Sequence, residues 1–145
     1  MFRLLPAMLC LGPLLHAASR VQESAPKTTP TGTPVLRLDD EEVLTHLARC
    51  RAVCFPPFEE DYGFVTAEAF ASHKAVVTCR DSGGPAELVE DNRTGFIADP
   101  DAKSLSVALV RVMNDVTCAK TMGEAAFAAG ARLNWGDAVR QLTAQ

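Results

Sequence analysis

The chain has 145 residues, of which 48% are hydrophobic and 22% charged, the balance of a single soluble domain with a modest core. Residues 1–34 hold three basic and one acidic side chain out of 14 and 18 in the whole, so the rest carries eleven basic against seventeen acidic and stands near −6. A binder of phosphate backbone needs a basic face; this body has none, and nucleic acid is not an expected partner.

The N-terminus reads as a leader. "MFRLLPAMLCLGPLLHAAS" has Arg3, an apolar run and small residues at its end, the pattern of a secretory signal peptide. Pro6 and Pro13 interrupt the run, and it is short for a membrane span. A non-functional leader fits the same residues. "QESAPKTTPTGTP" then reads as a Pro/Thr/Ser linker with nothing to bury, which sets 1–34 apart from a folded body over 35–145.

"LDDEEVLTHLARC" opens with carboxylates suited to a helix N-terminus. Val43, Leu44, Leu47 and Ala48 form its expected apolar stripe. Ala52–Phe55 is a short apolar run ended by Pro56 and Pro57, a buried strand. "PFEEDYG" is a loop, and "FVTAEAFASH" a helix with Val65, Ala69 and Phe70 inward. Ala75–Cys79 predicts a second buried strand. "RDSGGPAELV" predicts a glycine-rich turn into a short helix with Pro85 in its first turn. Gly95–Ala98 predicts a third strand. From Pro100 and Asp101 a helix follows, with Leu105, Ala108, Leu109, Val112 and Met113 on one face. Further helices are expected around Ala119–Ala129 and Trp135–Leu142.

Strands alternating with helices, and apolar throughout, predict an α/β fold with a parallel sheet covered on both faces. Three strands are half of a doubly wound sheet of order 3-2-1-4-5-6. The expectation is therefore a partial Rossmann-like sheet with C-terminal helices and an open strand edge where the first half would dock. Cys10, Cys50, Cys54, Cys79 and Cys118 form no C-x-x-C pair, and His16, His46 and His73 lie apart from them, so zinc spacing is absent. Cys54 and Cys79 sit in apolar runs and read as reduced core thiols.

Ligands of open α/β sheets bind beyond the carboxyl ends of the strands. The loop from Pro56 to Gly63 lies at such an end. The N–H groups from Gly63 to Thr66 have no helical partner and carry the positive end of the dipole, an anion site. Gly63 leaves room for the approach. Glu60 before this terminus and Glu68 inside the helix are acceptors suited to hydroxyl-rich ligands. A nucleotide-diphosphate sugar satisfies acid, anion site and acid in turn. A solvated acidic loop running into a helix with an exposed Glu68 meets the same spacing.

Order and spacing along the chain narrow the choice. Glu60, Tyr62-Gly63, Glu68-Ala69, Val76-Val77, Gly83-Gly84 with Glu87, and Thr94-Gly95-Phe96 resemble the donor-binding C-terminal domain of retaining glycosyltransferases of family 4, which have the two-domain GT-B fold. The resemblance covers about Val35 to Asp115. It implies that Glu68 binds the donor ribose, that Glu60 is catalytic and contacts the transferred sugar, and that the Phe64 and Val65 amides beside Gly63 hold the diphosphate. It also implies transfer with retention and no metal or other cofactor. Asp61, His73, Ala75 and Asn92 depart from the family's usual Gly or Pro. The acceptor domain and the first half of the donor domain, with its Arg/Lys pair, are absent; Lys74, Arg80 and Arg93 do not stand in for that pair.

The resemblance thus implies a fragment of a hexosyltransferase, with a nucleotide-sugar donor, an unassigned acceptor (sugar, lipid-linked or small molecule), and a missing N-terminal domain or partner chain. The alternative is a non-catalytic nucleotide-sugar-binding or protein-interaction remnant. The implied location is cytoplasmic, possibly membrane-peripheral, or secreted if the leader works.

Overall fold

Helix α1 (Asp40–Arg49) begins at a capping box: the Asp39 carboxylate accepts from the Glu42 N–H, and the Glu42 carboxylate accepts from the Asp39 N–H. The computed structural model describes residues 38–133 in full and, as backbone, residues 9–11, 27–28 and 34–35. Most of the leader and linker, and the expected helix at Trp135–Leu142, lie outside the described residues. The backbone segments are strands β1 (Leu9–Leu11), β2 (Lys27–Thr28) and β3 (Pro34–Val35). After α1 come β4 (Ala52–Cys54), α2 (Phe64–Ala71), β5 (Ala75–Cys79), α3 (Gly84–Leu88), β6 (Gly95–Ala98), α4 (Ala102–Asn114) and α5 (Val116–Gly130).

Strands β4, β5 and β6 are parallel neighbours, with Val53 opposite Val76 and Val77 opposite Phe96. The α/β class and the parallel sheet are those read from the sequence. Alternate residues enter opposite layers. Ala52, Ala75, Val77, Cys79, Phe96 and Ala98 meet Ala108 and Val112 of α4 and Ala119 and Met122 of α5. Val53, Phe55 and Val76 meet Leu47 of α1, Ala69 and Phe70 of α2, and Ala126 of α5. Val53, Val76, Val77 and Val112 are fully buried, each contributing about 1.5–3 kcal/mol of apolar transfer.

Two expectations need correction. Leu44 is 63% exposed and Ala48 is also exposed. Helix α1 presses only its Val43–Leu47 side inward, because one sheet face already filled by α2 leaves it a narrow seat. The strand edge expected to be open is occupied: β1 pairs antiparallel with β4. Its apolar residues lie in a run that reads as a leader because of Arg3 and the small residues at its end.

Helix α4 buries Ala108 and Val112 and half-buries Leu105, Leu109 and Met113, the face expected from its spacing. Asp101 caps it through the N–H groups of Lys103 and Ser104, both at 2.9 Å. Helix α5 crosses the α2–β5 turn at Gly123, where a Cβ would stand 2.2 Å from the His73 carbonyl oxygen. His73 ends α2 with φ 56°. Its ring is exposed, stacks on Phe127 at 3.8 Å, and sits 3.2 Å from the Glu124 carboxylate through Nδ1. It is the helix-end residue its position suggests, fixed by α5.

Candidate functional site

The backbone beyond β4 does not wander freely. The Phe55 N–H donates to Val77 O at 2.9 Å, extending the ladder past the strand end, and the buried Thr78 hydroxyl donates to Phe55 O at 2.8 Å. Glu59 N–H donates to Asp81 O at 2.9 Å and Glu60 N–H to Ser82 O at 3.1 Å, while Gly84 N–H donates to Glu60 O at 2.7 Å. Glu60 is thus held at both its backbone groups by the turn after β5. That turn is itself closed by Ser82, whose N–H donates to Cys79 O and whose hydroxyl accepts from Cys79 N–H.

Gly83 and Gly84 make this contact possible. A Cβ on Gly83 would lie 2.6 Å from Glu60 O, and one on Gly84 would lie 2.7 Å from the Tyr62 carbonyl carbon. The close approach these glycines allow is to the protein's own loop. The strained position in that loop is Glu59, with φ 47°, and not Asp61, where the family's glycine is missing. At His73 and Asn92 the structure does require positive φ, 56° and 60°. Histidine and asparagine are among the residues that enter this region most readily.

Gly63 starts α2 with φ 76° and ψ 46°. It is buried against Pro85, where a Cβ would stand 2.9 Å from the ring Cδ. Its carbonyl accepts from the N–H groups of Thr66 and Ala67. Among the described residues, no backbone carbonyl accepts from the N–H of Phe64 or Val65. These two amides, at the positive end of the helix, are the free donors of the site. Thr66 is buried in the same turn, and its hydroxyl is the side-chain oxygen left without a partner among the described residues.

Glu60 and Glu68 are both half-buried, Glu60 ahead of the helix start and Glu68 in its second turn, about 6 Å along the axis from Phe64. Glu87, in the first turn of α3, is exposed. The nearby cations are engaged elsewhere: Arg80 with Asp99 at 2.7 Å, Lys74 with Ala48 O at 3.3 Å, and Arg93 with Glu90. Sequence reasoning missed the aromatic rim. Phe58 is 73%, Phe64 54% and Tyr62 47% exposed, and the Tyr62 and Phe64 rings lie 4.6 Å apart. Their place around the acidic run Glu59–Asp61 signalled a loop and no more.

Cys54 and Cys79 close the floor beneath this loop as buried thiols. Burial, with Cys79 beside it, pushes the Cys54 thiol up to about 11, and burial followed by the Asp81, Asp101 and Asp99 carboxylates raises Cys79. Both stay protonated at neutral pH and are poor nucleophiles. Among the described residues, no group of three or more His, Cys, Asp or Glu side chains could hold a metal ion. Among the same residues, no helix is long and apolar enough to cross a membrane.

Residues 34–128 match the family model described as glycosyl transferases group 1. The chain is similar to the alpha-1,3/1,6-mannosyltransferase ALG2 of Homo sapiens, 32% identical over 84 residues that make up 58% of this chain and 20% of that protein. It is similar to the D-inositol 3-phosphate glycosyltransferase of Corynebacterium diphtheriae, 32% identical over 103 residues, 70% of this chain and 24% of that one. A solved sucrose-phosphate synthase from Thermosynechococcus elongatus shares the fold with a TM-score of 0.62 at 29% identity, covering 73% of this chain and 29% of that structure. HepE of Anabaena in complex with UDP-glucose gives 0.56 at 26% identity, over 70% of this chain and 30% of that structure. The chain therefore spans between a fifth and a third of the length of these relatives.

Proposed function

The chain belongs to the glycosyl transferases group 1 family, with the fold of the C-terminal half of a GT-B glycosyltransferase, and from that membership we propose that its α2 start is the donor site of a retaining hexosyltransferase. The observation that carries the reading is the pair of uncommitted amides at Phe64 and Val65, opened by Gly63 and flanked by Glu60 and Glu68. The diphosphate of a nucleotide sugar lies against those amides. Glu68 accepts hydrogen bonds from the ribose hydroxyls. Glu60, held in place by Ser82 and Gly84, faces the transferred sugar and acts on the charge that develops at its anomeric carbon. A UDP-glucose complex of a relative sharing the fold at 26% identity supports a nucleotide-sugar donor. The transfer needs no metal in this reading; backbone dipoles and basic side chains from the rest of the enzyme balance the diphosphate.

Turnover requires a second domain to close over the donor and exclude water. The chain alone is then a binding half, and the acceptor is chosen by residues beyond it. Use of a donor of this class fits a cytoplasmic, membrane-peripheral location, and a working leader would instead take the chain out of the cell. A second reading, a module that binds a nucleotide sugar without transferring it, is favoured by the β1 strand that closes the sheet edge.

Calorimetric titration with UDP, UDP-glucose and GDP-mannose tests the donor site. A hydrogen bond to a charged group contributes about 1.5–3 kcal/mol, so Glu68→Gln should weaken nucleotide and nucleotide sugar alike, by about tenfold to a hundredfold. Glu60→Gln should weaken the sugar nucleotide and leave the nucleotide unchanged. No heat with any of the three ligands, or an equal loss of UDP affinity in both variants, would refute the assignment. Activity regained on supplying the missing domain separates the transferase from the second reading.

A further inference from the structure

Strand β1 lies where a doubly wound sheet would place a parallel neighbour of β4, since the order 3-2-1-4-5-6 sets the fourth strand beside the first. Here the neighbour runs the other way. Leu9 is opposite Cys54, Cys10 opposite Val53, and Leu11 opposite Ala52.

The direction of each amide of β4 follows from its other side. Phe55 N–H donates to Val77 O on β5. Backbone amides alternate sides along a strand, so Val53 N–H also faces β5, while Ala52 and Cys54 face β1. Leu9–Cys54 and Leu11–Ala52 are therefore the hydrogen-bonded pairs, and Cys10–Val53 is the non-bonded pair. Cys54 is only 5% exposed, and a buried amide without a partner is strongly disfavoured. An uncovered β4 would be a template for another chain.

We propose that Leu9–Leu11 is an edge strand the chain supplies to itself, a strap that occupies the side of β4 where a doubly wound sheet has a parallel strand and keeps β4 from pairing with a second copy. The strap is three residues long, is bonded on one side, and is tethered through residues 12–51. Short segments with few partners open before the core of a domain, so the strap is released while β4, β5 and β6 stay together.

Residue-resolved amide exchange on the full chain tests this. The unmodified protein should show Leu9 and Leu11 protected and Cys10 fast, the alternation set by the bonded pairs. Leu11→Pro removes an amide that faces Ala52, and it should speed exchange at Ala52 and Cys54 at least tenfold while leaving Val53 and Phe55 unchanged. Cys10→Pro removes an amide that points away from β4, and both β4 amides should keep their protection. Leu11→Pro should also dimerise with rising concentration in sedimentation, and Cys10→Pro should not. Free-peptide exchange rates at all three strap residues of the unmodified chain would overturn the proposal without any variant. So would an unchanged Cys54 amide in Leu11→Pro, provided the Val77 amide confirms a folded sheet.

Discussion

Replacing Gly63 by alanine strikes the site and the fold at one atom. The residue sits at φ 76°, ψ 46°, and the new Cβ would meet Pro85 Cδ at 2.9 Å, Cγ at 3.0 Å and N at 3.0 Å. The left-handed backbone costs about 1–2 kcal/mol for a residue with a Cβ. Crowding a well-packed position adds about 1–3 kcal/mol. A loss of about 3 kcal/mol would lower Tm by roughly 12–24 °C, since a domain of this size shifts about 4–8 °C per kcal/mol. Relief of the contact moves α2 away from α3, and with it the Phe64 and Val65 amides, so UDP-glucose affinity should fall even where the variant is fully folded. Melting followed by circular dichroism gives the first number, and titration well below Tm gives the second. Gly63→Asn is the control: asparagine tolerates the left-handed region, so it should recover about 1 kcal/mol of the conformational part and none of the crowding. An alanine variant that melts within 2 °C of the parent would refute the packing argument. One that melts low but binds UDP-glucose normally would refute the link between the Pro85 seat and the amides.

Four further predictions follow from the same structure. Burial raises the Cys54 thiol to about 11; its stabilising protonation is complete below the ordinary thiol range and is lost as the unfolded chain ionises, so stability should decline from about pH 9 towards 11, and Cys54→Ala should flatten that decline in urea melts. Iodoacetamide at pH 8 should reach the half-buried Cys118 before Cys50, Cys54 or Cys79, and equal labelling of the four in the native state would contradict their burial. The Ser104 hydroxyl and amide, with the Lys103 amide, hold the Asp101 carboxyl below its usual range. That contribution is complete above about pH 3.9 and disappears as pH falls through the lower folded value; Asp101→Asn keeps the cap but should lose the pH dependence, so the stability gap between parent and variant closes in acid. Gly123→Ala places a Cβ 2.2 Å from His73 O and should destabilise by about 1–3 kcal/mol, prising α5 from the α2–β5 turn; an unchanged melt would refute the crossing.

Much of the fold was legible because strands buried on both faces announce themselves as unbroken apolar runs. Ala75–Cys79 and Gly95–Ala98 stand where their runs do, and α4 buries the face its spacing gives. The helix start at Gly63 was readable from a glycine ahead of an apolar stretch. Other features were hidden because long-range partners decide them. Nothing local in "LCL" distinguishes a strand from a leader; only the vacant side of β4 gives it a role. Leu44 looks like core until the seat of α1 is known. Gly83 and Gly84 read as a turn, but the Glu60–Tyr62 backbone that lies on them belongs to a loop outside that turn. The positive φ at His73 and Asn92 was visible only through the resemblance, which puts glycine there.

The clamp on Glu60 has a bearing on how the molecule comes into being. Every hydrogen bond that shapes the loop, from the Thr78–Phe55 bond to the Gly84–Glu60 bond, joins residues within the stretch 55–84. Contacts this close in sequence close small loops and form early. During synthesis, the N-terminal part of a domain emerges first. The loop is therefore expected to take shape while α4 and α5 are still within the ribosome, and nascent chains stalled once residue 84 has cleared the exit tunnel should already protect the Glu60 and Gly84 amides. Shaping of the loop would then precede completion of the chain.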